Sequence, residues 1–128
     1  MAILIKSKNK VPTTLQGIFN RAYRWASREG YEQCVNGGYC TYRNGDNTNA
    51  CLIGACIPDN LYQADMEDTP ASAVLERCGV KFDDSNRASF TNNLRKMQEC
   101  HDETDNQVDC LAQLREFAEG HNLKVPAS

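Results

Sequence analysis

The sequence predicts an α+β fold: one compact domain over residues 1–128, with a small antiparallel β-hairpin packed among about four helices. Three observations lead there. Apolar residues recur at the helical period in four separate stretches. Capping residues and glycines punctuate those stretches. Between the first and second, residues 39–53 gather strand-forming side chains around a turn rich in Asn, Asp and Gly. A chain of 128 residues, 41% hydrophobic and 24% charged, is long enough and ordinary enough to bury one core.

The elements follow in order. Residues 1–11 read as a short edge strand at 2–5 and a Lys-rich connector. Thr13 and Gln16 form a capping box, in which the hydroxyl takes an amide of the first turn and the glutamine reaches back. Leu15, Ile18, Phe19, Ala22 and Ala26 then make one helical face, and Gly30 ends it. Residues 39–43 read as a strand, 44–47 as a turn and 50–53 as the returning strand of the hairpin. Gly54 permits close backbone approach, and Pro58-Asp59 breaks the strand so that Asp59 caps a short turn through Leu61 and Tyr62. Thr69-Pro70 places an N-cap before a proline at the first helical position. Ala71, Val74, Leu75 and Cys78 form the next face, closed by Gly79. Asp84 or Ser85 caps a third helix with Phe90, Leu94, Met97 and His101 on its inner side. Thr104 and Gln107 repeat the capping box before Val108, Leu111, Leu114, Phe117 and Ala118, with Gly120 as the stop.

Charge and cysteine content narrow the function. The net charge of −3 excludes a uniformly basic coat for nucleic acid. It conceals an asymmetry: residues 1–58 carry seven Lys/Arg against three acids, whereas residues 59–119 carry six against fourteen. No apolar run approaches the ~20 residues of a membrane helix, so no membrane partner is expected. Seven cysteines are an odd set, and the first residues lack the pattern of a secretory signal. The expected compartment is the cytoplasm, where thiols stay reduced.

At the hairpin and its exit, the sequence resembles a family of small uncharacterised proteins from bacteriophages and bacteria. The resemblance rests on Cys40-Thr41-Tyr42-Arg43, Gly45, the run from Cys51 through Gly54, Ile57, Pro58 and Asp59 to Tyr62, and Met66-Glu67. Leu94, Gln98, His101 and Asp102 form a second, looser block. Asp68 stands where relatives carry glycine. The resemblance spans roughly residues 14–120 and implies an intracellular, phage-encoded protein in the host-cell cytoplasm. It brings no established activity.

Several constellations offer chemistry. Cys34, Cys40, Cys51 and Cys56 fall within 23 residues and could supply four thiolates to zinc. Their pairing, Cys34-x5-Cys40 and Cys51-x4-Cys56, argues against a standard site, and reduced cysteines also fill cores as small apolar groups. A thiol enzyme would use Cys40 or Cys51 with His101 as base. However, His101 lies on an apolar face, and adjacent helical residues diverge by ~100°, so His101 and Asp102 are not expected to form a dyad. Glu99, Asp102, Glu103, Asp105 and Asp109 cluster without the spacing of a calcium loop. No phosphate-binding loop, dinucleotide motif or metalloprotease motif is present.

The leading expectation is therefore a non-enzymatic accessory protein. It would regulate or inhibit a host or phage protein by binding it, counter-defence being one such role. The candidate binding residues are Arg21, Arg24, Arg28, Tyr42, Arg43, Asp59 and Tyr62. No cofactor is expected under this reading. A Cys-rich zinc module or thiol enzyme is the alternative. A third reading is nucleic-acid binding, with Lys6, Lys8, Lys10 and the Arg21, Arg24 and Arg28 stripe meeting phosphates and Tyr39 or Tyr42 stacking on bases. The sequence leaves the oligomeric state open.

Overall fold

A computed structural model describes residues 14–31, 33–36, 39–43, 49–57, 61–81 and 87–126. Within them the fold is mainly helical: α1 (Leu15–Ala26), α2 (Ala71–Arg77), α3 (Arg87–Asp102) and α4 (Gln107–Gly120), with short 3-10 turns at Gly54–Cys56 and Ala64–Asp68. Among the described residues, extended pairing is limited to β1 (Val35–Asn36) against β2 (Tyr39–Cys40), with Val35 opposite Cys40, and one bridge between Arg43 and Ala50. The expected α+β class is thus corrected.

The reason lies in residues 50–57. The expected returning strand pairs once, at Ala50, and the Cys51 amide still donates to Tyr42 O. The chain then closes on itself: Ala55 N–H bonds Cys51 O, and Cys56 N–H bonds Ile53 O. Every residue from Ala50 to Ile57 is buried. Burial on all sides produces the same apolar run in a buried turn as in a strand, and here the turn wins. Gly54 makes the crossing possible, since a Cβ there would stand 2.1 Å from Tyr42 O.

The core lies between α1, α3, α4 and the first 3-10 turn. Ile18, Phe19, Ala22 and Ala26 of α1 meet Leu94 and Met97 of α3 and Cys110, Leu114, Phe117 and Ala118 of α4. The Phe19 and Phe117 rings stack with centroids 6.2 Å apart. A smaller cluster of Ile57, Met66 and Val74 sits beside Tyr42, Tyr62 and Cys78. The α4 face is shifted from expectation: Val108 is 73% exposed, while Cys110 is fully buried. No helix among the described residues is long and apolar enough to cross a membrane.

Helix ends depart most from the expected capping. The α1 cap is Thr14, whose hydroxyl accepts from Gly17 N–H at 3.0 Å. Gln16 instead pairs with Lys124, donating to its carbonyl at 2.8 Å and accepting its amide at 2.9 Å. Pro70 caps α2, and the Thr69 hydroxyl donates back to Met66 O. Asn106 caps α4 by accepting from Asp109 N–H. Thr104 donates to Cys100 O, and Gln107 donates to Ala26 O and Arg28 O beyond the end of α1. The left-handed residue after α4 is Asn122 (φ +56°), not Gly120, and Leu123 N–H returns to Ala118 O. Gly30 and Gly79 do adopt positive φ after α1 and α2. The expected strand at 2–5, Lys6, Lys8, Lys10, Thr13, Gly45, Pro58, Asp59, Asp84 and Ser85 lie outside the described residues.

Candidate functional site

Two constellations bring polar groups together. The first gathers the block that carries the family resemblance. Glu67 accepts Tyr42 N–H at 2.8 Å through Oε1, and Arg43 N–H at 3.0 Å through Oε2. The Tyr62 hydroxyl donates to the same Oε2. The Tyr42 hydroxyl donates to Thr69 O at 2.7 Å. Arg43 is 1% exposed; Nη2 donates to Ile57 O at 2.6 Å, and its guanidinium lies over the Tyr62 ring. Guanidinium has five donors and no acceptor, so a buried one holds several carbonyls in place. Tyr42, Arg43 and Tyr62, expected as binding residues, thus come together, with polar atoms turned to partners inside the fold. Burial raises the Tyr42 and Tyr62 phenols above their ordinary range.

The second constellation surrounds the end of α3. His101 is fully buried. Its Nε2 accepts the Cys34 amide at 2.9 Å, and its Nδ1 faces Asp102 Oδ1 at 2.8 Å. A backbone amide only donates, so Nε2 must be bare and the proton must sit on Nδ1. The expectation that His101 and Asp102 could not pair is therefore corrected. The ~100° divergence of adjacent helical residues fixes the Cβ directions, not the side-chain tips at a helix end. Gln33 Nε2 donates to His101 O, Asp102 O and Thr104 O, covering carbonyls that the end of a helix leaves unpaired. Sequence reasoning missed Gln33, because its partners lie 68 or more residues away.

Beside this end opens a cleft of about 570 Å³ lined by Gln33, Asp102, Glu103, Thr104, Asp105, Asp109, Ala112 and Gln113. Four of its eight lining residues are acidic and none is basic. Glu103, Asp105 and Asp109 are exposed. Glu99, expected in the same group, instead pairs with Arg95.

The other expected residues are placed as follows. In the basic stripe, Arg24 is exposed, while Arg21 is partly buried and its Nη1 has no hydrogen-bond partner among the described residues. Arg28 folds back with its guanidinium 3.5 Å from the centre of the Trp25 ring, bonded to Trp25 O and Asn49. Cys34, Cys51 and Cys56 are buried and in no disulfide among the described residues; the Cys40 side chain and that of Tyr39 lie outside the described part. Burial pushes Cys56 and Cys100 up to about 12. It raises Cys51, Cys78 and Cys110 as well, although Gly54 N–H on the Cys51 sulfur pulls the other way. Nucleophilic thiols need the opposite shift. Both ring nitrogens of His101 are engaged away from Cys51. Among the described residues, no group of three His, Cys, Asp or Glu side chains is arranged to hold a metal.

No family model matches the chain, and no curated protein or solved structure matches it.

Proposed function

We propose that this chain is a small non-enzymatic accessory protein, phage-encoded, that regulates or inhibits a host or phage protein by binding it. The face it presents is the acidic cleft between α3 and α4, and the partner surface is basic. The observation that carries this reading is the cleft itself, with acids and no base in its lining. The distribution of chemistry agrees with it. Cys51, His101 and Arg43 spend their polar atoms inside the fold. Complementary charge across such an interface speeds encounter and selects partners.

The test is capture from infected cells with the tagged chain, followed by calorimetry on the purified pair. A triple variant, Glu103→Gln with Asp105→Asn and Asp109→Asn, serves as the comparison. The expected result is one partner bound at least about tenfold more weakly by the variant, the order of ~1.4 kcal/mol, and binding that weakens with salt. Repeated capture with no enriched protein, or a partner indifferent to the triple variant, refutes the proposal.

A further inference from the structure

The hydrogen bonds around His101 give residues 33–36 a feature independent of any partner. This segment leads into β1 and lies against the end of α3. Three of its contacts there, from the Gln33 amide to carbonyls, do not change with pH. The fourth, Cys34 N–H into His101 Nε2, requires a bare nitrogen. A proton taken from solvent adds to that lone pair and converts Nε2 into a donor. It then faces the Cys34 N–H, and two donors cannot bond each other.

The ring is enclosed by the fold. His101 is fully buried. Among the described residues, the groups that face it include Asp102 on its own helix, partly exposed and also holding the Gln98 amide; the edge-on Tyr31 ring at 6.2 Å; and Cys34, whose thiol approaches the Thr41 hydroxyl. Tyr42 and Cys51 lie close enough to Asp102 to feel its charge. Arg28 lies on the far side of Tyr31, its guanidinium 5.2 Å from that ring. Among these groups Asp102 offers the counter-charge, and it sits on the Nδ1 side of the ring, away from the Cys34 amide.

We propose that His101 is a proton-sensitive latch: its neutral ring holds the Cys34 amide on the end of α3, and protonation of Nε2 releases it. Charging a buried neutral histidine is a standard route by which acid loosens structure. Here the loosening is local, since Gln33 still bonds the end of α3 and Thr41 N–H still bonds Cys34 O beside the β1–β2 pairing.

The experiment is an NMR titration of the full chain between about pH 7.5 and about pH 5, the range in which histidines change charge. Long-range proton–nitrogen spectra report the His101 tautomer. Amide hydrogen exchange, corrected for the intrinsic rate, reports protection at Cys34. The expected tautomer at the neutral end is Nδ1–H. Protection at Cys34 falls by up to about tenfold per pH unit as pH drops from the free-imidazole range toward the ring's own midpoint, as linkage to one proton requires. In His101→Gln, whose side-chain oxygen accepts the same amide without titrating, Cys34 protection stays flat. A proton on Nε2 at neutral pH overturns the proposal. So does Cys34 protection that holds while the ring charges, a ring that stays neutral until the whole chain unfolds, or the same acid loss in His101→Gln. If His101→Gln does not fold, the wild-type tautomer and protection decide the matter alone.

Discussion

Replacing Glu67 by glutamine tests whether the buried polar network holds this fold together. The carboxylate receives three donors: the amides of Tyr42 and Arg43 and the hydroxyl of Tyr62. Hydrogen bonds to a charged acceptor are worth about 1.5–3 kcal/mol each, and the lower figure suits a half-buried site. Three such bonds give roughly 4.5 kcal/mol. Glutamine has one acceptor oxygen, so two bonds at most survive, now neutral and worth about 1 kcal/mol each. Its amide nitrogen then opposes a donor. The net loss is about 2–4 kcal/mol once the stranded donor is counted. Urea unfolding followed by circular dichroism measures it, and an unchanged slope would show that the variant unfolds from the same folded state. Tyr62→Phe removes one bond and keeps the ring, and should lose about 1.5 kcal/mol. If Glu67→Gln costs no more than Tyr62→Phe, the carboxylate is not the organiser described above.

Three further outcomes follow from the same structure. Gly54→Ala drives a methyl group into Tyr42 O, and by overpacking it should cost about 3 kcal/mol or prevent folding, read by the same urea assay. Gln107→Ala strips the amide from Ala26 O and Arg28 O and should cost about 1–2 kcal/mol, with faster hydrogen exchange at the end of α1. Stability should fall as pH rises from about 9 toward 12, because the folded chain keeps protons on buried thiols that the unfolded chain releases. The slope is about 1.4 kcal/mol per pH unit for each such thiol, and Cys56→Ala should make the decline shallower by that amount.

Much of the helical frame is legible in the sequence because a single period governs it. Ile18, Phe19, Ala22 and Ala26 face inward, as do Leu94, Met97 and His101, and Gly30 and Gly79 fall at left-handed positions. Residues 50–57 are misread for a physical reason: burial on every side erases the alternation that separates strand from turn. Val108 is misread because α4 begins with Asn106 as its cap, so Val108 falls on the wet side of the first turn and Cys110 takes the inner position. The residues of the block between Cys40 and Glu67, among them Tyr42, Arg43, Gly54, Tyr62 and Glu67, are visible as a pattern. Their common task is not, since it depends on Arg43 turning inward to the carbonyl of Ile57. The acids at 102–109 announce a charged corner, yet only the packing of α3 beside α4 turns them into a cleft that includes Gln33.

The glutamines have one more consequence. Gln107 on α4 closes the end of α1, Gln33 closes the end of α3, and Gln16 on α1 clasps the backbone of Lys124. A helix capped by its own neighbours frays by itself, one turn at a time. Here, each of these ends is sealed by a side chain from a distant part of the chain. Opening one end of α1 means displacing α4, and opening the end of α3 means lifting the segment before β1. Partial unfolding should therefore spread from element to element rather than stay at the tips, and the amides of the last turns of α1 and α3 should exchange at rates close to those of the core.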